Sequence, residues 1–300
     1  MGRLEEAIAD FSHAIELDPK NASSYNSRGL ARDRALLRDA ALEDFTAAIS
    51  MDGGSNPLYW HNRGFCYRNM GRFQEAISDY SRAIELDGSN AAAYNNRGYA
   101  WRKLGWYAEA ASDYTRSLEL DPSNVKAYNN RGYCHAKAGK YLEAVADYSR
   151  VIALDPLNAH AYHNRGISYD KVRHPAASRL CAGRVPHARA PASGAPPPST
   201  HDAHSHTPPT TSPYQVAMYQ EAIADFTKVL ELDSGNANAD FNRASTFDSQ
   251  GAVALAIADY TRALELDAEG GGGAAGGAGS ASGGGAKAPR DLVPPTPYGR

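Results

Sequence analysis

Residues 125–158 read VKAYNNRGYCHAKAGKYLEAVADYSRVIALDPLN, and this stretch decides the fold. Tyr128, Gly132, His135, Ala144, Tyr148, Val151 and Leu154 recur at helical spacing. The pattern breaks near Gly139 and stops at Pro156, which predicts two antiparallel helices, A and then B. Neither helix can bury its apolar face alone. Neighbouring copies must cover it, and the chain supplies them at the same 34-residue period, the signature of a solenoid.

Copies begin near Ala22, Pro57, Ala91, Val125 and Ala159. Each follows an asparagine (Asn21, Asn56, Asn90, Asn124, Asn158), joined later by Asn236. Asn is a favoured N-cap, worth about 1 kcal/mol over Ala. The preceding helix ends at Asp-Pro or Asp-Gly, where Pro cannot continue a helix and Gly permits a left-handed exit. The unit at Ala22 is the weakest, with Leu36 and Arg38 where others carry Gly and an aromatic, and an extra residue near Gly53 and Gly54.

The unit resembles the tetratricopeptide repeat (TPR) family through Tyr128, Gly132, Tyr141, Ala144, Tyr148 and Pro156, with Arg131 where that family usually has Leu. The resemblance covers residues 1–171 and 216–267. It implies an all-α right-handed superhelix of helix pairs that binds other proteins and carries no active site.

Composition narrows the classes. The formal charge of −3 over 300 residues gives no basic bias, so nucleic acid is not an expected partner. No apolar run approaches the ~20 residues of a spanning helix, so no membrane partner is expected. The N-terminus lacks a secretory h-region, and Glu6 stands where myristoylation wants Ser or Thr. The expectation is a cytoplasmic protein, with ciliary association as an open alternative. Cys66, Cys134 and Cys181 show no metal-type spacing, and the first two share one helix A offset, as small packing residues do.

Gly2 to Ala7 aligns with Gly71 to Ala76, so the chain opens at a second helix, and Met1 corresponds to the internal Met70. A longer upstream protein is the expected explanation, with Leu4, Ala7, Ile8 and Phe11 left facing water or lost sequence.

From Val172 to Gln215 the periodicity fails, and Pro, Ala, Ser, Thr and His dominate. This segment is expected to be disordered. Joining Lys171 to Val216 restores the register without a gap, so the insert is 44 residues long. Val codons begin with GT, one Gln codon is CAG, and HTPPTTSPY (206–214) is encodable by a pyrimidine-rich tract. The insert therefore reads as a retained intron, and its deletion is expected to stabilise the fold. His201, His204 and His206 lie inside it and carry no metal-site assignment. Residues 269–300 are expected to form a disordered Gly/Ala/Pro-rich tail, in which Val293 to Pro297 holds one PxxP match.

No nucleophile, paired carboxylate or phosphate loop stands in a supporting context, so no catalytic residue, cofactor or metal is expected. Three recurrent rows remain. Asn62, Asn96, Asn130, Asn164 and Asn242 share one helix A offset, with Ser27 at the sixth site, and propensity disfavours Asn there. A primary amide offers donor and acceptor, so such a row can bracket an extended peptide backbone, as in peptide-binding members of the resembled family. The competing reading bonds these amides to neighbouring helices. Lys103, Lys137 and Lys171, with Arg68 and Arg102 one residue earlier, make the groove mildly basic and favour acidic peptide segments. A carboxylate clamp is not expected, because its offsets hold Asn26, His61, Asn95, Asn129 and His163.

The third row pairs Arg28, Arg63, Arg97, Arg131, Arg165 and Arg243 in helix A with Asp10, Asp44, Asp79, Asp113, Asp147, Asp225 and Asp259 in helix B. Counting favours forward, inter-repeat pairs: Asp10 with Arg28, Asp44 with Arg63, Asp79 with Arg97, Asp113 with Arg131, Asp147 with Arg165 and Asp225 with Arg243. The expected function is a non-enzymatic scaffold holding an extended peptide or partner helix in its concave groove. The alternatives are the regulatory part of a larger enzyme of glycosyltransferase, phosphatase or prolyl isomerase type, or a structural part of a ciliary or other large assembly.

Overall fold

The computed structural model describes residues 2–172 and 213–271, and these form 13 helices with no strand. They fall into two compact units that divide at Ala138 and Gly139, not at the insert. The first unit holds α1 (Gly2–Leu17), α2 (Ala22–Arg34), α3 (Arg38–Met51), α4 (Pro57–Asn69), α5 (Phe73–Leu86), α6 (Ala91–Lys103), α7 (Tyr107–Leu120) and α8 (Val125–Lys137). The second holds α9 (Tyr141–Leu154), α10 (Ala159–Val172), α11 (Pro213–Leu232), α12 (Ala237–Ser249) and α13 (Val253–Gly271). Within each unit every helix packs on the next. Even-numbered helices are A helices and odd-numbered ones B helices. In the first unit α2, α4, α6 and α8 also touch their next A neighbours, whereas successive B helices do not touch. The A helices therefore line the inner side of that unit.

The A helices start where the asparagines cap them. The side-chain oxygen of Asn90 accepts the Ala93 N–H at 3.0 Å, and those of Asn124, Asn158 and Asn236 do the same at 3.1 Å for Ala127, Ala161 and Ala239. The B helices α3, α5, α7 and α9 have no side-chain cap and rely on the preceding turn. At Gly105 (φ 83°) the chain enters the left-handed region, and the Trp106 N–H closes on the Trp101 carbonyl at 3.0 Å. The first hairpin forces Leu36 into that conformation at φ 64°, a strain of about 1 to 2 kcal/mol that accounts for the weakness of the unit at Ala22.

Packing follows from one small residue facing one ring. A Cβ on Gly98 would lie 3.2 Å from Cε1 and Cζ of Tyr114, so only Gly lets α6 approach α7 this closely. Cys66 and Cys134 are fully buried, as their small-residue offset suggested, and burial pushes the Cys66 thiol up to about 12.

The insert interrupts a hairpin without changing its Arg–Asp pairing. Arg165 pairs with Asp225 60 positions later, against 16 for Arg63 and Asp79, a difference equal to the insert length. Most of the insert and tail, with Cys181, the histidine cluster and the PxxP match, lies outside the described residues. At the edges, Val172 ends α10, Pro213, Tyr214 and Gln215 begin α11, and α13 runs past Ala268 to Gly271. α11 runs through Val216, Ala217 and Met218, where other hairpins turn, because no glycine breaks it and each added residue gains a backbone bond.

This changes the expected effect of removing residues 172–215. Shortening the connection from 60 positions to 16 is worth about 1 kcal/mol. Ala217 would then occupy the left-handed turn position, at a cost of about 1 to 2 kcal/mol. The melting midpoint should stay near that of the parent and rise when Ala217→Gly is added to the deletion. Thermal melts in which Ala217→Gly gives no gain would contradict this.

The Arg and Asp rows form ion pairs, but the forward assignment is wrong. Arg28 meets Asp44 at 2.8 Å, Arg63 meets Asp79 at 2.7 Å, Arg97 meets Asp113 at 2.7 Å, Arg165 meets Asp225 at 2.7 Å and Arg243 meets Asp259 at 2.6 Å. Each pair joins the two helices of one repeat. Asp10, on α1, is exposed. What crosses the repeat boundary is the third guanidinium donor. Nη1 of Arg28, Arg63, Arg97, Arg131, Arg165 and Arg243 donates to the hydroxyls of Ser12, Thr46, Ser81, Thr115, Ser149 and Thr227, at 3.0 to 3.1 Å. The arginines thus tie repeats together through a hydroxyl row.

Candidate functional site

The inner wall of the first unit is built by α2, α4, α6 and α8; α2 carries Asp33, whereas the sequences of α4, α6 and α8 contain no Asp or Glu. Their partners carry the acids: Glu75, Asp79 and Glu85 on α5, and Glu109, Asp113 and Glu119 on α7. Among α4 to α8 the carboxylates therefore lie on the B helices alone, and the three A helices carry only cations.

The asparagine row lies on this wall, half-buried, and is tied sideways. Asn62 Nδ2 donates to Asn26 Oδ1 at 2.9 Å. Asn96 Nδ2 reaches His61 Nε2 at 3.1 Å, and its Oδ1 accepts from Arg68 Nη1 at 2.9 Å. In the second unit Asn242 Nδ2 lies 3.4 Å from His163 Nε2, repeating the pattern. The reading in which these amides bond neighbouring helices therefore holds at Asn62, Asn96 and Asn242. A primary amide has capacity for more than one bond, so the row keeps hydrogen-bonding capacity for a ligand. Asn130 and Asn164 make no side-chain hydrogen bond among the described residues.

Of the residues at the clamp offsets, Asn26, which is buried, and His61 and His163, which are half-buried, serve as the sideways acceptors, whereas the buried side-chain oxygens of Asn95 and Asn129 have no hydrogen-bond partner among the described residues. Burial lowers the pKa of both histidines, and nearby positive charge adds to it, from Arg68 for His61 and from His160 for His163. The neutral ring is what lets Nε2 accept from an amide N–H. A folded-state pKa below the unfolded value of about 6.5 means full stability above that pH and loss as pH falls through it. The variant His61→Asn/His163→Asn, which copies Asn95 and Asn129, should flatten the fall in melting midpoint between about pH 7 and 5. Equal slopes for parent and variant would contradict this.

Of the basic residues expected in the groove, Lys103 and Lys137 set their Nζ 5.6 and 5.4 Å from the ring centroids of Tyr99 and Tyr133. Lys171 is exposed in the second unit. Sequence reasoning missed the rings themselves. Phe65, Tyr99 and Tyr133 occupy one offset, with Arg68 and Arg102 three residues after the first two, a spacing that places ring and guanidinium on the same helix face. Among the described residues no group of three His, Cys, Asp or Glu could hold a metal, and no helix is long and apolar enough to cross a membrane.

Comparison with known families returns models described as tetratricopeptide repeat over residues 57–90, 91–124, 125–158 and 216–271, and one described as TPR repeat over 1–33. Tetratricopeptide repeat protein 36 of Bos taurus is 36% identical over 88 residues, covering 28% of this chain and 47% of that protein. Serine/threonine-protein phosphatase 5 of Homo sapiens is 37% identical over 82 residues, 27% of this chain and 16% of the enzyme. The chain thus spans less than half the length of these relatives. Among solved structures, the C-terminal part of a TPR repeat-containing protein from Cytophaga hutchinsonii matches at TM-score 0.64 and 16% identity, covering 89% of this chain and 91% of that one. YrrB, described as a TPR protein with an unusual peptide-binding site, matches at TM-score 0.56 and 19% identity, with 76% and 95% covered. These two likenesses speak to the fold alone.

Proposed function

Because the chain belongs to the tetratricopeptide repeat family, we propose that it is a non-enzymatic interaction scaffold that holds an extended, acidic peptide segment of another protein along its A helices. The supporting observation is the inner wall of α4, α6 and α8, free of acids and carrying the amide row of Asn62, Asn96 and Asn130. Amides recognise peptide backbone whatever its side chains, and the one-sided charge selects acidic segments. The description of YrrB as having a peptide-binding site agrees with this use of the fold.

The test uses the residues whose side chains carry no other bond. Asn96→Ala would also orphan His61 and release Arg68, so it confounds binding with packing. Asn130→Ala/Asn164→Ala avoids this and raises helix propensity. Affinity capture with the full chain, read by mass spectrometry, should recover a set of proteins that the double variant fails to retain. An unchanged set from a folded variant would sink the reading. A second reading, the regulatory array of a larger enzyme, draws on the 37% likeness to a segment of serine/threonine-protein phosphatase 5. A catalytic domain encoded in the same full-length transcript would favour it.

A further inference from the structure

In the first unit, aromatic rings and guanidinium groups alternate along the inner wall. The Arg68 guanidinium carbon lies 4.1 Å from the ring centroid of Phe65 on its own helix and 5.4 Å from that of Tyr99 on the next. The Arg102 carbon lies 5.0 Å from Tyr99 and 5.2 Å from Tyr133. The ladder Phe65, Arg68, Tyr99, Arg102, Tyr133 therefore crosses α4, α6 and α8 without a break, with Lys103 and Lys137 at its margin.

These cations differ from the structural arginines beside them. Arg63 and Arg97 are spent on Asp79 and Asp113. Arg68, Arg102, Lys103 and Lys137 make no ion pair among the described residues, and their own helices offer no carboxylate. Arg68 gives one donor to Asn96 Oδ1 and one to Asn69 Oδ1, whereas Arg102 Nε is buried with no hydrogen-bond partner. A guanidinium held against rings loses little further freedom on binding and matches a carboxylate with its in-plane donors.

We propose that this ladder sets the specificity of the groove by reading acidic side chains three residues apart on a peptide in polyproline II conformation. The inference rests on the peptide-binding function proposed above. Packed helices such as α4 and α6 lie about 8 to 10 Å apart. Polyproline II rises about 3.1 Å per residue with three residues per turn, so side chains at i and i+3 share a face about 9 Å apart. In a β-strand the same two side chains point to opposite faces. A peptide with Asp or Glu at i and i+3 thus sets one carboxylate at Arg68 and the next at Arg102, with the rings facing the residues between. The occupant comes from another protein. Residues 173–212 of this chain hold Asp202 as their single acid beside Arg173, Arg179, Arg184 and Arg189, and residues 272–300 hold only Asp291.

The test pans a phage-displayed library of random dodecapeptides against the full chain. Selected sequences should be enriched for Asp or Glu at positions three apart, and a synthetic peptide of the consensus should bind by fluorescence anisotropy. Arg68→Gln/Arg102→Gln should weaken that binding about tenfold or more, and Arg68→Lys/Arg102→Lys should restore it only in part. Selection of neutral peptides, or of acidic peptides without the spacing, would overturn the inference and leave the peptide-binding function standing. Recovery of no peptide at all would remove both. Self-association of the chain that is abolished by the Gln variant would assign the wall to the acidic outer helices of a second copy, and would equally overturn it.

Discussion

Replacing Arg97 alone by Met is expected to lower the unfolding free energy by about 3 to 5 kcal/mol, while replacing Arg97 and Asp113 together by Met and Leu costs much less. Asp113 is buried between α6 and α7, and Arg97 Nε and Nη2 reach its two oxygens at 2.8 and 2.7 Å. Burial pushes the Asp113 carboxyl above its usual range even though Arg97 pulls it back. The Arg97 side is raised as well, since the bonds to Asp113 outweigh desolvation of the guanidinium. The carboxylate is the more enclosed partner, so its desolvation dominates the pair. The pair then adds little net stability as a pair, yet loss of one member strands a buried charge. Arg97 also donates to Ser81 across the repeat boundary, so the single variant loosens the stack. Urea unfolding of the parent, Arg97→Met and the double variant decides the matter. A double variant as unstable as the single one would contradict it.

The second large effect is at Tyr114. Its ring is fully buried against Gly98, so Tyr114→Ala should cost about 3 to 5 kcal/mol through lost burial and the cavity left behind. Tyr114→Phe should instead be neutral or stabilising. The Tyr114 hydroxyl is buried with no hydrogen bond of good geometry, and burial raises its pKa although the nearby Arg102 guanidinium pulls it down. An unpaired polar group held away from water is a burden that Phe removes. Phe45 and Phe226 already fill the equivalent place on α3 and α11. The same urea titrations check both variants, and a destabilised Tyr114→Phe would reveal a partner for the hydroxyl.

The elements with local causes were legible in the sequence. Each asparagine before an A helix does cap it, and the pairing of Gly166 with Phe226 across the insert followed from register alone. The Arg and Asp rows were visible, but a sum over residues picked the wrong partners. It treated Asp10 as needing an arginine and gave no weight to the hydroxyls, although Ser12, Thr46, Ser81 and Thr115 recur just as regularly. Helical position shows which flank a residue occupies. It does not show which of three guanidinium donors crosses to the next repeat.

The site was half legible for a related reason. Asn62 and Asn96 stood out because Asn is unusual inside helices, yet their bonds to Asn26 and His61 depend on the distance between A helices. Phe65, Tyr99 and Tyr133 looked like ordinary packing residues. Their role emerged only with the arginines of adjacent helices beside them. α11 begins at Pro213, inside the segment expected to be disordered up to Gln215, because Ala217 gives no reason to turn where the other repeats do.

The central claim is that partners bind the acid-free stretch of inner wall that α4, α6 and α8 form in the first unit. Photo-crosslinking tests it most directly, with p-benzoylphenylalanine placed at Tyr99 on that wall or at the exposed Glu85 on the outer helix α5. The account predicts protein adducts from position 99 that are lost with Arg68→Gln/Arg102→Gln, and none from position 85. Adducts from position 85 alone would contradict it.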